Sequence, residues 1–203
     1  MKRSILMLVA AVSFSLTQAQ SVNFGLKAGV NLANATGSDA EGSSMRVSFN
    51  AGALAQISLN DMLSVQPEVY YSDQGAKVKF DNGLGGTVTG TQKLGYINVP
   101  VLVKYTTSSG FFVQTGPQIG FLLSAKASAA GQSSDEKSFF KSTDFSWAFG
   151  AGFLTSMNIG IDARYNLGLS NIENTGNSGG TGTIKNGVIQ IGVFYLFGEP
   201  KKK

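Results

Sequence analysis

From Asn23 onward, apolar and polar residues alternate with a period of two, in eight separate stretches. This is the pattern of strands that present one apolar face. The stretches lie near 23–32, 48–59, 63–73, 93–106, 110–124, 144–156, 159–171 and 187–198. In the seventh, Ile159, Ile161, Ala163, Tyr165, Leu167 and Leu169 share one face, and Gly160, Asp162, Arg164, Asn166, Gly168 and Ser170 the other. In the eighth, Ile189, Ile191, Val193, Tyr195 and Phe197 oppose Gln190, Gly192, Phe194 and Leu196. In the third, Leu63, Val65, Pro67, Val69 and Tyr71 oppose Ser64, Gln66, Glu68 and Tyr70. No segment repeats every 3.6 residues for long enough to make a helix.

The connections alternate as well. Asn60-Asp61, Thr107–Ser109 and Met157-Asn158 are tight turns, whereas 33–47, 74–92, 125–143 and 172–186 are longer, polar and rich in Gly and Ser. An even strand count with short turns at one end and long loops at the other is the layout of a bacterial outer-membrane barrel. The expected fold is therefore all-β: an eight-stranded antiparallel up-and-down transmembrane β-barrel with short periplasmic turns and long extracellular loops.

A small barrel can hide its apolar face inside, as a soluble lipocalin-like carrier does, or show it to lipid. The polar face decides. It carries Lys27, Asn31, Gln56, Gln66, Glu68, Asn98, Lys104, Gln114, Gln118, Asp162, Arg164, Asn166 and Gln190, with glycines between. A water-facing surface carries far more Lys and Glu than this, whereas a lumen is served by amides and a few paired charges. The apolar face also has aromatics near the strand ends, as membrane interfaces select. Phe24, Tyr105, Phe111, Tyr195 and Phe197 fall at the short-turn end, and Phe49, Tyr71, Phe145 and Trp147 toward the loops. A β-bulge would exchange inward and outward assignments beyond it, with the fourth and sixth strands most exposed to this.

Composition sharpens the picture. Only 14% of the 203 residues are charged, against roughly 25% in soluble domains. The net charge of +4 sits at the two ends: residues 1–19 carry +2, residues 199–203 another +2, and 20–198 balance 11 bases against 11 acids. A basic nucleic-acid face is excluded. At the N-terminus, Lys2 and Arg3 precede an apolar run over 5–16 and a small residue, Ala19. That is the three-part layout of a secretory signal peptide, cleaved after Ala19 and too short to span a bilayer as a helix. The expected organisation is a signal peptide over 1–19, a barrel over 20–198 and a basic periplasmic tail over 199–203.

Five lumen charges stand out: Lys27, Glu68, Lys104, Asp162 and Arg164. Counted from the short-turn end, all lie in the first half of their strands. Eight strands enclose a space just wide enough for side chains, and an unpaired buried charge costs several kcal/mol. An internal network of ion pairs and amides that plugs the barrel is expected, in preference to a narrow selective channel.

Catalysis finds little footing. The chain has no His and no Cys, so neither a Ser-His-Asp constellation nor a thiolate or imidazole metal site can form. The pairs Asp39/Glu41 and Asp135/Glu136 read as solvated loop charges, with too few ligands each for calcium. Gly176–Gly182 opens no helix and lacks the Lys-Ser/Thr of a phosphate cradle. No enzyme, cofactor or metal is expected.

Several segments resemble the PorT-like outer-membrane β-barrel family of Bacteroidota. They are Gly25-Leu26-Lys27-Ala28-Gly29-Val30-Asn31, Gln66-Pro67-Glu68-Val69-Tyr70-Tyr71-Ser72, Tyr96-Ile97-Asn98-Val99-Pro100-Val101-Leu102-Val103-Lys104-Tyr105, Gly116-Pro117-Gln118-Ile119-Gly120 and Asp162-Ala163-Arg164-Tyr165-Asn166-Leu167-Gly168-Leu169. The resemblance spans the mature chain and implies an OmpA/OmpX-like barrel. Two roles follow as expectations: a structural or surface-binding barrel acting through its loops, or an accessory of outer-membrane transport or secretion. The expected partners are outer-membrane lipid, the barrel-assembly machinery during biogenesis, and an extracellular or periplasmic protein, the latter met through Lys201–Lys203.

Overall fold

The computed structural model describes residues 21–38, 40, 42–81, 87–129, 132–174 and 182–198. The expected signal peptide and basic tail, the Asp39/Glu41 pair and most of the glycine-rich loop over 176–182 lie outside the described residues.

Eight long strands form a ring: β1 (Ser21–Thr36), β3 (Arg46–Ser58), β4 (Leu63–Gln74), β6 (Thr87–Thr106), β7 (Phe111–Ala129), β9 (Thr143–Leu154), β10 (Ile159–Gly168) and β11 (Lys185–Leu196). Three short strands, β2 (Ser43–Ser44), β5 (Lys77–Asp81) and β8 (Gln132–Asp135), extend it at the loop end. Every pairing is antiparallel, and the seam closes by β1 on β11, from Gly25 opposite Leu196 to Thr36 opposite Lys185. Closure leaves the eight-strand ring without a free edge, so its backbone polar groups meet partner strands in the lipid.

The register sets the barrel's width. Following cross-strand partners once round from Val22 leads through Ile57, Val65, Val103, Thr115, Phe149, Tyr165 and Ile189 back to β1 at Leu32. The stagger is therefore ten residues, the distance from position 22 to 32. With a rise of about 3.3 Å and a strand spacing of about 4.8 Å, eight strands so staggered tilt by roughly 40° and enclose a backbone radius of about 8 Å. That leaves room for inward side chains.

The short turns are locally encoded. Asn60 Oδ1 accepts the Met62 and Leu63 amides at 2.9 and 2.8 Å. Asn158 takes a left-handed φ of 63°, and Gly110 one of 96°, conformations that Asn and Gly tolerate best. The alternation faces as read: Ile159, Ile161, Ala163, Tyr165 and Leu167 of β10 are exposed, and Gly160, Arg164, Asn166 and Gly168 buried.

Two features depart from the sequence reading. The strands run further into the loop segments, with β6 starting at Thr87 and β7 ending at Ala129 instead of 93 and 124. Above a bilayer both faces of a strand meet water, so polar residues can pair without alternating. The register also shifts between Gly95 and Tyr96, which pair with Ser124 and Leu122. Leu123 of β7 is thus the extra residue, and beyond it Ala125 turns inward. The bulge lies in the fifth ring strand, not in the fourth or sixth.

Candidate functional site: the layered barrel interior

Inward side chains stack in layers. At the short-turn end Leu54, Phe112, Phe194 and Leu196 form a buried apolar floor, with Leu154 packed against it. The Phe112 and Phe194 rings meet edge-on at 6.0 Å. Glycine makes space for them: a Cβ at Gly160 would stand 2.0 Å from the Phe194 ring, and one at Gly152 2.5 Å from that of Phe112.

Above the floor lies a charged layer. The Glu68 carboxylate, 2% exposed, receives Lys27 Nζ at 2.9 Å and a fork from Arg164, 2.9 Å to Oε2 and 3.0 Å to Oε1. Gln66 Nε2 donates to Glu68 Oε1 at 2.8 Å. Arg164 also reaches Asp162 Oδ2 at 3.0 Å, which Gln114 Nε2 bonds at 2.9 Å. Four of the five singled-out charges thus come together, contributed by β1, β4 and β10. The fifth does not join them. Lys104, fully buried, bonds Gln66 Oε1 at 3.2 Å and Gln56 Oε1 at 3.4 Å and has no carboxylate partner within 4 Å among the described residues. Its Nζ lies 3.8 Å from the Phe112 ring centre and 4.6 Å from that of Phe194. With three cations to two carboxylates, the odd cation rests on π faces and amide oxygens.

Next comes an amide layer. Asn31 is the hub: its Nδ2 donates to Ser72 Oγ and to the carbonyls of Phe49 and Asp73, and its Oδ1 accepts from Asn50 and Gln190. Tyr70 Oη donates to Gln118 Oε1 at 2.6 Å, and Tyr70 is packed beneath Gly52, where a Cβ would come within 2.3 Å of its own Cβ.

The loop end is closed by residues that sequence patterning did not single out. Leu94, Tyr96, Leu122 and Ala125 surround Ile172, which is 1% exposed, with Phe140 and Ile184 packed alongside. Backbone bonds hold the segment in place, from the Lys141 amide to the Ile172 carbonyl at 2.8 Å and from the Ile172 amide to the Ile184 carbonyl at 2.9 Å. Asn171 Oδ1 caps the amides of Glu173 and Ile184. Beside this lid, Arg46 forks onto Asp73 and bonds the Gln74 carbonyl, and Asp144 accepts from Asn186 and Ser170. Arg46 escaped notice because it precedes the apolar alternation, and Ile172 because its neighbours in sequence, Asn171 and Glu173, are polar.

Outside, the nine aromatic residues point away from the lumen, eight of them exposed and Tyr71 half-buried. At the short-turn end Phe111 pairs with Phe153, the Phe197 amide bonds the Phe24 carbonyl, Tyr195 stacks edge-on with Phe197 at 5.4 Å, and Tyr105 faces Leu63. Toward the loops Phe49 and Tyr71 lie 5.6 Å apart, and Trp147 donates to Thr115 Oγ1 two residues from Phe145. Phe121, Phe149, Phe153 and Tyr165 are further exposed aromatics. Of the loop acids, Asp135 Oδ1 accepts the Lys137 amide, and Glu136 takes a bond from Gln92.

A closed eight-stranded ring, polar within and apolar without, defines the class of outer-membrane β-barrels. Residues 18–174 match the outer membrane protein beta-barrel domain family, and the chain belongs to it. That places the protein in the bacterial outer membrane. Neisserial surface protein A shares the fold at 19% identity and a TM-score of 0.52, over 88% of this chain and 100% of the other. Ail of Yersinia pestis matches at 18% identity and a TM-score of 0.48, over 88% and 100% of the two chains. OprG of Pseudomonas aeruginosa matches at 14% and 0.46, over 88% and 97%. No curated protein matches the chain.

Proposed function

We propose that this protein is a non-enzymatic outer-membrane barrel that acts through its loop end, with a lumen filled by its own side chains. The observation that carries this reading is the layering: apolar floor, ionic layer, amide layer and lid follow one another along the axis. A conducting pore needs a continuous water-filled path, and buried apolar side chains occupy the lumen near both ends, the Phe112–Phe194 pair at one and the Ile172 cluster at the other. Catalysis needs a poised nucleophile or base, and both carboxylates of the ionic layer are engaged by cations.

The long connections face outward from the cell in this reading, and the short turns and the 199–203 tail face the periplasm. The segment resemblances support a PorT-like member, and with it contact to an extracellular or periplasmic protein. In planar bilayers the purified protein is expected to give no steady conductance. Steady, ion-selective openings abolished by Glu68→Gln would overturn the filled-lumen reading. Deleting 131–136 and 177–182 is expected to abolish any capture of a surface partner in intact-cell crosslinking while the heat-modifiable gel shift persists, and undiminished capture would sink the loop assignment.

A further inference from the structure

The ladder between β6 and β7 carries an unusual cross-strand pair just above the apolar surface. Lys93 lies directly opposite Lys126. Both are exposed, and their neighbours Leu94 and Ala125 are buried inside, so the two lysines share the outer face of the barrel. Lys77 of β5, also exposed, pairs with Thr91, two residues from Lys93 on that same face. Three ammonium groups thus gather on one outward patch. Like charges directly opposite each other in a sheet destabilise it, and no carboxylate comes within 4 Å of any of the three among the described residues. Asp135, opposite Lys126 on β8, is the one acid paired with the patch among the described residues, and its Oδ1 is turned to the Lys137 amide.

Height decides what the patch meets. Immediately below it on the same strands, Ile97 faces Phe121, and Leu123 is exposed at the bulge. Along tilted strands each residue climbs about 2.5 Å, so Lys126 stands roughly 8 Å above Leu123 and within a snorkelling side chain's reach of the headgroup plane. An apolar surface continuous with a cation cluster at its upper edge complements a lipid: acyl chain against Phe121 and Leu123, anionic phosphate between the two ammonium groups. We infer that Lys93 and Lys126, assisted by Lys77, form a binding site for the phosphate of a membrane lipid, and that the bound anion relieves the repulsion built into the ladder. This rests on the reading of the barrel as membrane-embedded, but not on the direction in which it inserts or on the filled lumen.

The test uses the full-length protein in neutral maltoside micelles, doped with phosphatidic acid or with diacylglycerol of the same chains. Native mass spectrometry then reads the lipid retained. The wild type is expected to keep phosphatidic acid at least fivefold over diacylglycerol. The double variant Lys93→Gln, Lys126→Gln brings the two to parity, and Lys93→Arg, Lys126→Arg restores the preference. The unfolding midpoint gives a second reading of opposite sign. Without lipid the Gln variant is as stable as the wild type or more so, since the repulsion is gone. With phosphatidic acid the wild type gains more. Equal retention by wild type and Gln variant would overturn the site, and equal protection by inorganic phosphate at the same concentration would overturn its assignment to a lipid. Because these readings are made in micelles, a loop end without a surface partner, or a conducting lumen, would leave them unchanged.

Discussion

Glu68 holds the interior together through geometry as much as charge. Its two oxygens take four donors, from Lys27, Gln66 and both terminal nitrogens of Arg164. Removing it strands the buried Lys27 and leaves Arg164 only its bond to Asp162, and breaking such a buried pair costs about 3–5 kcal/mol. Glu68→Leu is therefore expected to lower stability by that amount in urea titrations followed by gel mobility. Lys27→Met is milder, at about 1–2 kcal/mol, because the Arg164 fork remains on Glu68. If the two variants were equally destabilised, the shared-carboxylate account would fail. The residue types of this layer were legible in sequence as the charges on the minority face. Which of them would touch was not, because Glu68 and Arg164 are 96 positions apart and meet only once the ring has closed.

At the scale of elements, period-two patterning located all eight ring strands, because one face of each meets lipid and the other does not. It lost them where that asymmetry ends. The added lengths of β6 and β7, the short strands β2, β5 and β8 and the bulge at Leu123 all lie toward the loop end, where both faces meet water or packed loop. The segment Ser170–Asn174 is the clearest case: polar by composition, but a lid by structure, since its one large apolar residue, Ile172, enters a pocket lined by two ring strands. Ile172→Asp is expected to release it. Hydrogen exchange at the Ile172 and Lys141 amides should rise at least tenfold, and exchange in the floor strands around Phe112 and Phe194 should not change. Unchanged exchange at Ile172 would show that the backbone bonds alone hold the segment.

For the molecule as a whole, closure is the controlling event. β1 and β11 are the first and last strands and pair over twelve positions, so neither can be lost without opening two edges in the membrane. Truncation after Ile184, which removes β11, should yield a chain with no heat-modifiable folded form. Truncation after Gly198 keeps every described strand and should retain that form. A folded barrel from the shorter chain would mean that seven strands suffice.

The order of hydrophobic and polar residues by itself determined the strand count, the end that carries the long loops and the face that meets lipid. Each of these is a local property of one strand in a two-sided solvent. The balanced charge of the middle of the chain and the absence of His and Cys narrowed the chemistry without any coordinates. Only the tertiary structure decided the ten-residue stagger, the sharing of Glu68 by two cations, the seat of Lys104 on aromatic faces, the Ile172 lid and the meeting of Lys93 with Lys126. All of these depend on register between strands far apart in sequence. A shift of one residue between neighbours would change every one of them and leave the hydrophobic pattern of each strand as it was.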